Sequence, residues 1–255
     1  MHRIGAVALN TFREAVRDRV LYGILFFAVC LLLFSFVLGE LALYAQERVV
    51  EDVGIAGLQI FSVLMAVFLG VSLFYKEIEK KTLYTVLPKP VARWEVVVGK
   101  FAGLYGTLLL QIAVMGVVLA AVLVASGIAP GRHLFLSLLL AAMEVGIVAA
   151  IAIFFTSFST PFVSGLFTLG VFVVGRLVDS LWELSRGSPA LRAVARAVGV
   201  VAPNLYLYVP TRRTLLDTDG FVAWAYVAKS LGYGALYTVI ALALAAFLFE
   251  RRDLV

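Results

Sequence analysis

Six apolar runs, each about as long as a bilayer is thick, constrain this chain more than any other feature. An α-helix rises 1.5 Å per residue, so crossing roughly 30 Å of hydrocarbon takes about 20 mostly apolar residues. Such runs occupy residues 20–39, 54–75, 99–127, 134–155, 162–182 and 230–249. The first reads VLYGILFFAVCLLLFSFVLG, without one basic or acidic residue. The third is long enough to tilt or to extend past the bilayer. The runs are too long for strands and lack period-two alternation, which argues against a β-barrel. Composition agrees: 63% of the 255 residues are hydrophobic and 15% charged, against roughly 45–50% and 25% in soluble domains. A soluble fold of this length could not hide so much apolar surface, so part of it must face lipid. The same balance excludes a disordered chain, a disulfide scaffold and a coiled coil. The first run is not expected to be cleaved as a signal peptide. Nineteen residues precede it and no small-x-small site follows closely.

Orientation follows from the basic residues between the runs, because loops rich in Lys and Arg stay cytoplasmic. Arg3, Arg13, Arg17 and Arg19 precede the first run. Lys76, Lys80, Lys81, Lys89 and Arg93 lie between the second and third, with Lys100 at the edge of that loop, and Arg251 and Arg252 follow the last. The opposite loops after the first and third runs hold only Arg48 and Arg132. Both termini and the 76–98 loop are therefore expected inside, in the cytoplasmic membrane, and the even count of six satisfies this. Residues 183–229 are expected outside although they carry several arginines. Within them, PALRAVARAVGVVAP spaces its arginines four apart on an apolar background, as an amphipathic helix at the outer interface would. Tyr206 and Tyr208, between Pro203 and Pro210, are placed like interfacial aromatics. Two further short spans in this stretch are the rival reading.

Catalytic machinery is not legible. The Gly99-Lys100 pair lacks the upstream glycine and the following Ser or Thr of a phosphate-binding loop. His2 and His133 are expected on opposite faces, and Cys30 and four methionines are scattered, so no metal site is expected. The net charge of +5 fits basic cytoplasmic loops, with no nucleic acid as partner. If the chain drives transport, a gradient or a partner must supply the energy.

Three features stand out. The first is residues 1–19, where Ile4, Ala8, Phe12 and Val16 recur every four residues. Arg13, Glu14 and Arg17 lie on the other face. This predicts an amphipathic helix suited to the inner lipid surface, either a topology anchor or an elbow that also touches a cytoplasmic partner. The second is the loop YKEIEKKTLYTVLPKPVARWEVVVGKF. Glu77 and Lys81 sit four apart on a predicted helix that Pro88 and Pro90 end. A second short helix carrying Arg93, Trp94 and Glu95 leads into the third run. A simple reversal needs fewer residues, and the element suits a docking surface. The third is Glu144, about ten residues into the fourth run, where a carboxylate costs roughly 2.5–3.5 kcal/mol unless paired or hydrated. It is either a functional group, a partner of Arg176, or a carboxyl kept protonated by desolvation. The closer spacing of Arg176 to Asp179 predicts a local pair between those two.

These stretches resemble the permease subunits of ABC-2 type transporters, particularly the branch related to the permease of nitrous-oxide-reductase maturation. The start ALNTFREAVRDRVLYGILFFA looks like that branch's elbow helix entering its first span. The loop EIEKKTLYTVLPKPVARWEVVVGKF follows the family's order: an acidic residue, Thr-Leu, a Pro after an apolar pair, then Arg and Gly-Lys. The interfacial segment before the last span and the ending FLFERRDLV also match. The resemblance implies an all-α integral membrane protein. Its six transmembrane helices would form a type V exporter-like permease fold with an elbow helix and an external re-entrant segment. It implies that two permeases pair, as homodimer or with a paralogue, and that two ATP-binding subunits dock inside. ATP and Mg would then belong to the partner ATPase, with no cofactor in this chain. Carried over, the coupling loop offers Glu77, Glu79, Lys80, Lys81, Thr82, Leu83, Pro88 and Arg93 as docking residues. Arg13, Glu14 and Arg17 belong to the elbow, and the pathway would be lined by the second and fifth spans. Two other functions compete: a gradient-driven carrier using Glu144, and a membrane anchor or scaffold for a cytoplasmic ATPase.

Overall fold

The structure is a computed structural model that describes residues 2–41, 46–79, 92–185, 192–193, 195–196, 199, 202–209 and 224–251. Regular structure among the described residues is helical, with no strand. Seven α-helices stand among those residues, in chain order: α1 (His2–Val16), α2 (Arg19–Leu41), α3 (Gln46–Glu79), α4 (Arg93–Ala125), α5 (Arg132–Thr156), α6 (Pro161–Leu184) and α7 (Trp224–Arg251). A short 3₁₀ turn, Leu205–Tyr208, lies before α7. Helices α2 to α7 are each long and apolar enough to cross a membrane.

The central element is α5. Apolar side chains surround it on every side, the pattern of a helix buried on all faces, and it packs against α3, α4, α6 and α7. Two-thirds of its most apolar stretch is buried, compared with 22% for α6 and 17% for α7. The outward faces of α2, α6 and α7 carry Phe26, Phe27, Val173, Leu177, Leu236 and Val239, all exposed, as lipid-facing helices require. Helix α4 stops at a built terminus. Gly127 takes the left-handed conformation (φ 75°), Ile128 N–H donates to Leu123 C=O at 2.9 Å and Gly127 N–H to Val124 C=O at 3.0 Å. Ile128 then packs on the core, completing the cap. Pro161, in the first turn of α6, starts that helix after a tight polar turn.

One local expectation is corrected and two are extended. Arg93, Trp94 and Glu95 are the first turn of α4 itself, not a separate short helix. The Glu95 carboxylate accepts the Ala92 N–H at 3.0 Å and fixes that start. Helix α3 begins at Gln46, eight residues before its apolar run, because its first turns pack inward through Val50 and Glu51. Helix α1 does not use its apolar stripe on lipid alone. Thr11 and Ala15 are buried, Val7, Ala8 and Phe12 are half-buried, and the helix lies along α4.

Candidate functional site

The seam between α3, α5 and α6 holds a buried polar chain. Glu144, midway along α5, is fully buried. Arg176, about four turns into α6, grips it with two bonds of 2.8 Å, Nε to Oε1 and Nη2 to Oε2. This fork-to-fork geometry is the strongest an arginine offers a carboxylate, and it offsets the cost of the carboxylate within an apolar bundle. Nη2 also donates to Gln59 Oε1 on α3 at 3.2 Å, and the Phe172 ring lies 5.4 Å below the guanidinium. Gln59 passes the chain on, since its Nε2 donates to the Tyr208 carbonyl at 2.8 Å. Tyr208 Oη donates to the Ser230 carbonyl on α7 at 2.7 Å. Burial, with Tyr233 nearby, holds the Tyr208 phenol well above its usual range, so it stays a donor at any physiological pH. One chain of side chains thus ties α3, α5, α6, the 3₁₀ turn and α7 together.

Two expectations change here. Arg176 does not pair with Asp179, three residues along; it turns to Glu144, while Asp179 Oδ1 accepts Asn204 Nδ2 at 3.0 Å. Tyr208 is not an interfacial aromatic, for it is fully buried, whereas Tyr206 is 43% exposed. The segment reaches this depth because Gly175 leaves room on α6, where a methyl group would lie 2.5 Å from the Pro203 carbonyl oxygen. The amphipathic stretch 189–203 lies mostly outside the described residues.

Sequence reasoning missed Gln59, which looks like one polar residue in an apolar helix. It also missed a second buried pair: His133 Nδ1 lies 3.0 Å from Glu51 Oε1, both 5% exposed, joining the first turns of α5 and α3. A carboxylate and an imidazole 82 residues apart give no spacing signal. A burial cue existed, since Glu51 lies one residue from Val50 at the start of a helix longer than its apolar run.

The opposite end of the bundle carries the predicted docking residues. Glu77 and Glu79 belong to the last turn and a half of α3, and Arg93 opens α4. Lys80, Lys81, Thr82, Leu83 and Pro88 lie outside the described residues. On α1, Arg13 and Arg17 are exposed and Glu14 is half-buried. Lys100 is 4% exposed, with Nζ 3.3 Å from the Leu73 carbonyl of α3. Between α3 and α6 a cleft of about 530 Å³ opens, lined by Val67, Phe68, Val71, Phe162, Leu166 and Leu169, with Ser72 its one polar side chain.

A polytopic helical bundle with an amphipathic N-terminal helix folded onto its third span, and an apolar cleft between its second and fifth, is a membrane permease in architecture. The chain belongs to the ABC-2 family transporter proteins, whose family pattern matches residues 5–254. It is thus a multi-pass membrane permease subunit of an ABC transporter, of a family whose members are transmembrane components and typically work with an ATP-binding subunit. No curated protein matches it.

Proposed function

We propose that this chain couples ATP hydrolysis by separate ATP-binding subunits to export of a substrate across the cytoplasmic membrane. Two ATP-binding subunits dock on the cytoplasmic side of a permease pair, either two copies of this chain or this chain and a paralogue. Both termini and the loop between α3 and α4 face the cytoplasm, and ATP and Mg are bound by the ATPases. Closure of the ATPase dimer pushes on the loop and on α1, and the push reaches the spans through short rigid helices. The resemblance to the branch of nitrous-oxide-reductase maturation permeases supports placing the chain near it.

The observation that carries this reading is the family match across nearly the whole chain, joined to a charged loop set between the two helices α3 and α4. The cleft between α3 and α6 supports a route along the second and fifth spans, and its dry walls suit an apolar or amphipathic cargo. The gradient-driven alternative loses its main support, because both oxygens of Glu144 are engaged by one guanidinium. The test is reversal of Lys80 and Lys81 to glutamate. The variant inserts normally but no longer holds an ATPase through purification. A variant that retains both the ATPase and its hydrolysis would refute the docking role, and a purified chain that hydrolyses ATP unaided would refute the division of labour.

A further inference from the structure

Helices α1 and α3 converge on five residues of α4, Gly99 to Gly103. On one side α1 lies backbone against backbone. A methyl group on Gly99 would sit 2.8 Å from Val7 Cβ and 3.1 Å from the Ile4 carbonyl oxygen. On Gly103 it would overlap the Ala8 carbonyl oxygen and lie 2.7 Å from Thr11 Cβ. Two glycines four residues apart form a groove that only a closely packed helix fills, the small-xxx-small geometry of helix pairs in membranes. On the other side, buried Lys100 reaches the Leu73 carbonyl near the end of α3. One turn upstream of Gly99, Glu95 caps Ala92 and stiffens the point where α4 begins. Helix α3 at Leu73 and the elbow helix are therefore both fastened to the first three turns of α4.

We infer that Gly99, Lys100 and Gly103 are a coupling joint that makes α1 and the ends of α3 and α4 one rigid body, so that a stroke delivered to the loop or to α1 moves all three helices together. The three residues are positioning residues, since they act through the helices they fasten. The stroke rests on the permease reading above; the joint itself rests on packing alone.

The experiment uses the full chain in complex with its ATPase, in a Cys30→Ser background. Val7→Cys with Gly99→Cys places two Cβ atoms close enough to bridge after a shift of about 1 Å. Oxidation then locks α1 to α4, and ATP hydrolysis by the complex stays at its reduced-state rate, because the lock adds nothing to helices already moving together. Hydrolysis that collapses on oxidation and returns on reduction shows α1 and α4 separating during turnover, and overturns the joint. Gly103→Leu drives a wedge between them and lowers hydrolysis about 2- to 30-fold, the range for substitutions along a coupling path, while the complex still co-purifies. Full hydrolysis in that variant also overturns it. Should the wedge prevent folding, Lys100→Met carries the same expectation, with Lys100→Arg restoring the rate. Hydrogen exchange on the permease alone separates this inference from the permease reading. Amides of α1 that exchange as slowly as those at the start of α4 support the joint even if no ATPase binds. Amides of α1 that exchange freely refute it even if one does.

Discussion

Two regions of the helix bundle, its elbow end and its middle, are fastened by opposite means. At the elbow end, α1 and α4 meet through glycines, with little between the backbones but van der Waals contact. Around Arg176, α6 approaches α5 and α3 through an ion pair and a bridging glutamine. The difference follows from what each helix can bury. Helix α1 has a small-residue groove to lie in, and packing suffices. Helix α6 leaves most of its apolar surface facing outward, with only 22% of its most apolar stretch covered. In lipid that outward surface gives no drive towards the protein, so interhelical hydrogen bonds and close contacts must hold the helix. Helix α6 is thus tethered by polar side chains, whereas α1 is held by shape.

If that contrast is right, the largest effect comes from cutting the tether on one side. Glu144→Leu leaves the partly buried Arg176 guanidinium without its carboxylate and destabilises the protein by up to about 3–5 kcal/mol, read by thermal unfolding in detergent. Glu144→Leu with Arg176→Leu recovers most of that loss; a double variant as unstable as the single one would show that the pair is not the tether. Next comes the wedge at the elbow end. Gly103→Leu overpacks the groove and costs about 1–3 kcal/mol, and trypsin cleavage after Arg13 and Arg17 speeds up because α1 lifts away. Unchanged cleavage would mean that packing on α4 does not hold α1.

Smaller effects sharpen the comparison. Tyr208→Phe removes the hydroxyl bond to the Ser230 carbonyl and costs about 1 kcal/mol. Because burial raises the Tyr208 phenol above its unfolded value of about 10, its contribution is complete below that pH and is lost as pH rises through the folded value. The native chain therefore loses stability in alkali, by a step that the Phe variant lacks; identical alkaline profiles would contradict the buried placement. Val239→Ala, on the outward face of α7 where the side chain is 63% exposed, shifts unfolding by less than about 0.5 kcal/mol. A larger loss would point to a covered face.

How much of this was legible before folding depends on the range of the signal. The six spans were legible because hydropathy is summed over some 20 adjacent residues. The amphipathic period of α1 was legible too, but not its destination. Lipid and a glycine groove ask for the same apolar stripe; Gly99 stood out only as part of a Gly-Lys pair, and Gly103 not at all. The Glu144–Arg176 pair was weighed because an intramembrane charge needs an account, yet Asp179 looked the better partner by spacing. Spacing decides contacts within one helix, whereas Arg176 reaches across 32 residues to another. Gln59, Tyr208 and the Glu51–His133 pair were invisible for the same reason. Their partners are set by which faces of α3, α5 and α7 meet, and periodicity does not fix that.

The central claim is that this six-span chain draws its power from a separate ATPase through the charged loop between α3 and α4. The most direct test is to purify the chain from its native membrane, with and without Lys80→Glu and Lys81→Glu, and to measure bound ATP-hydrolysing activity at equal amounts of inserted protein. The account predicts activity with the native loop and its loss with the reversed one. Equal activity from both, or none from the native chain, would contradict it.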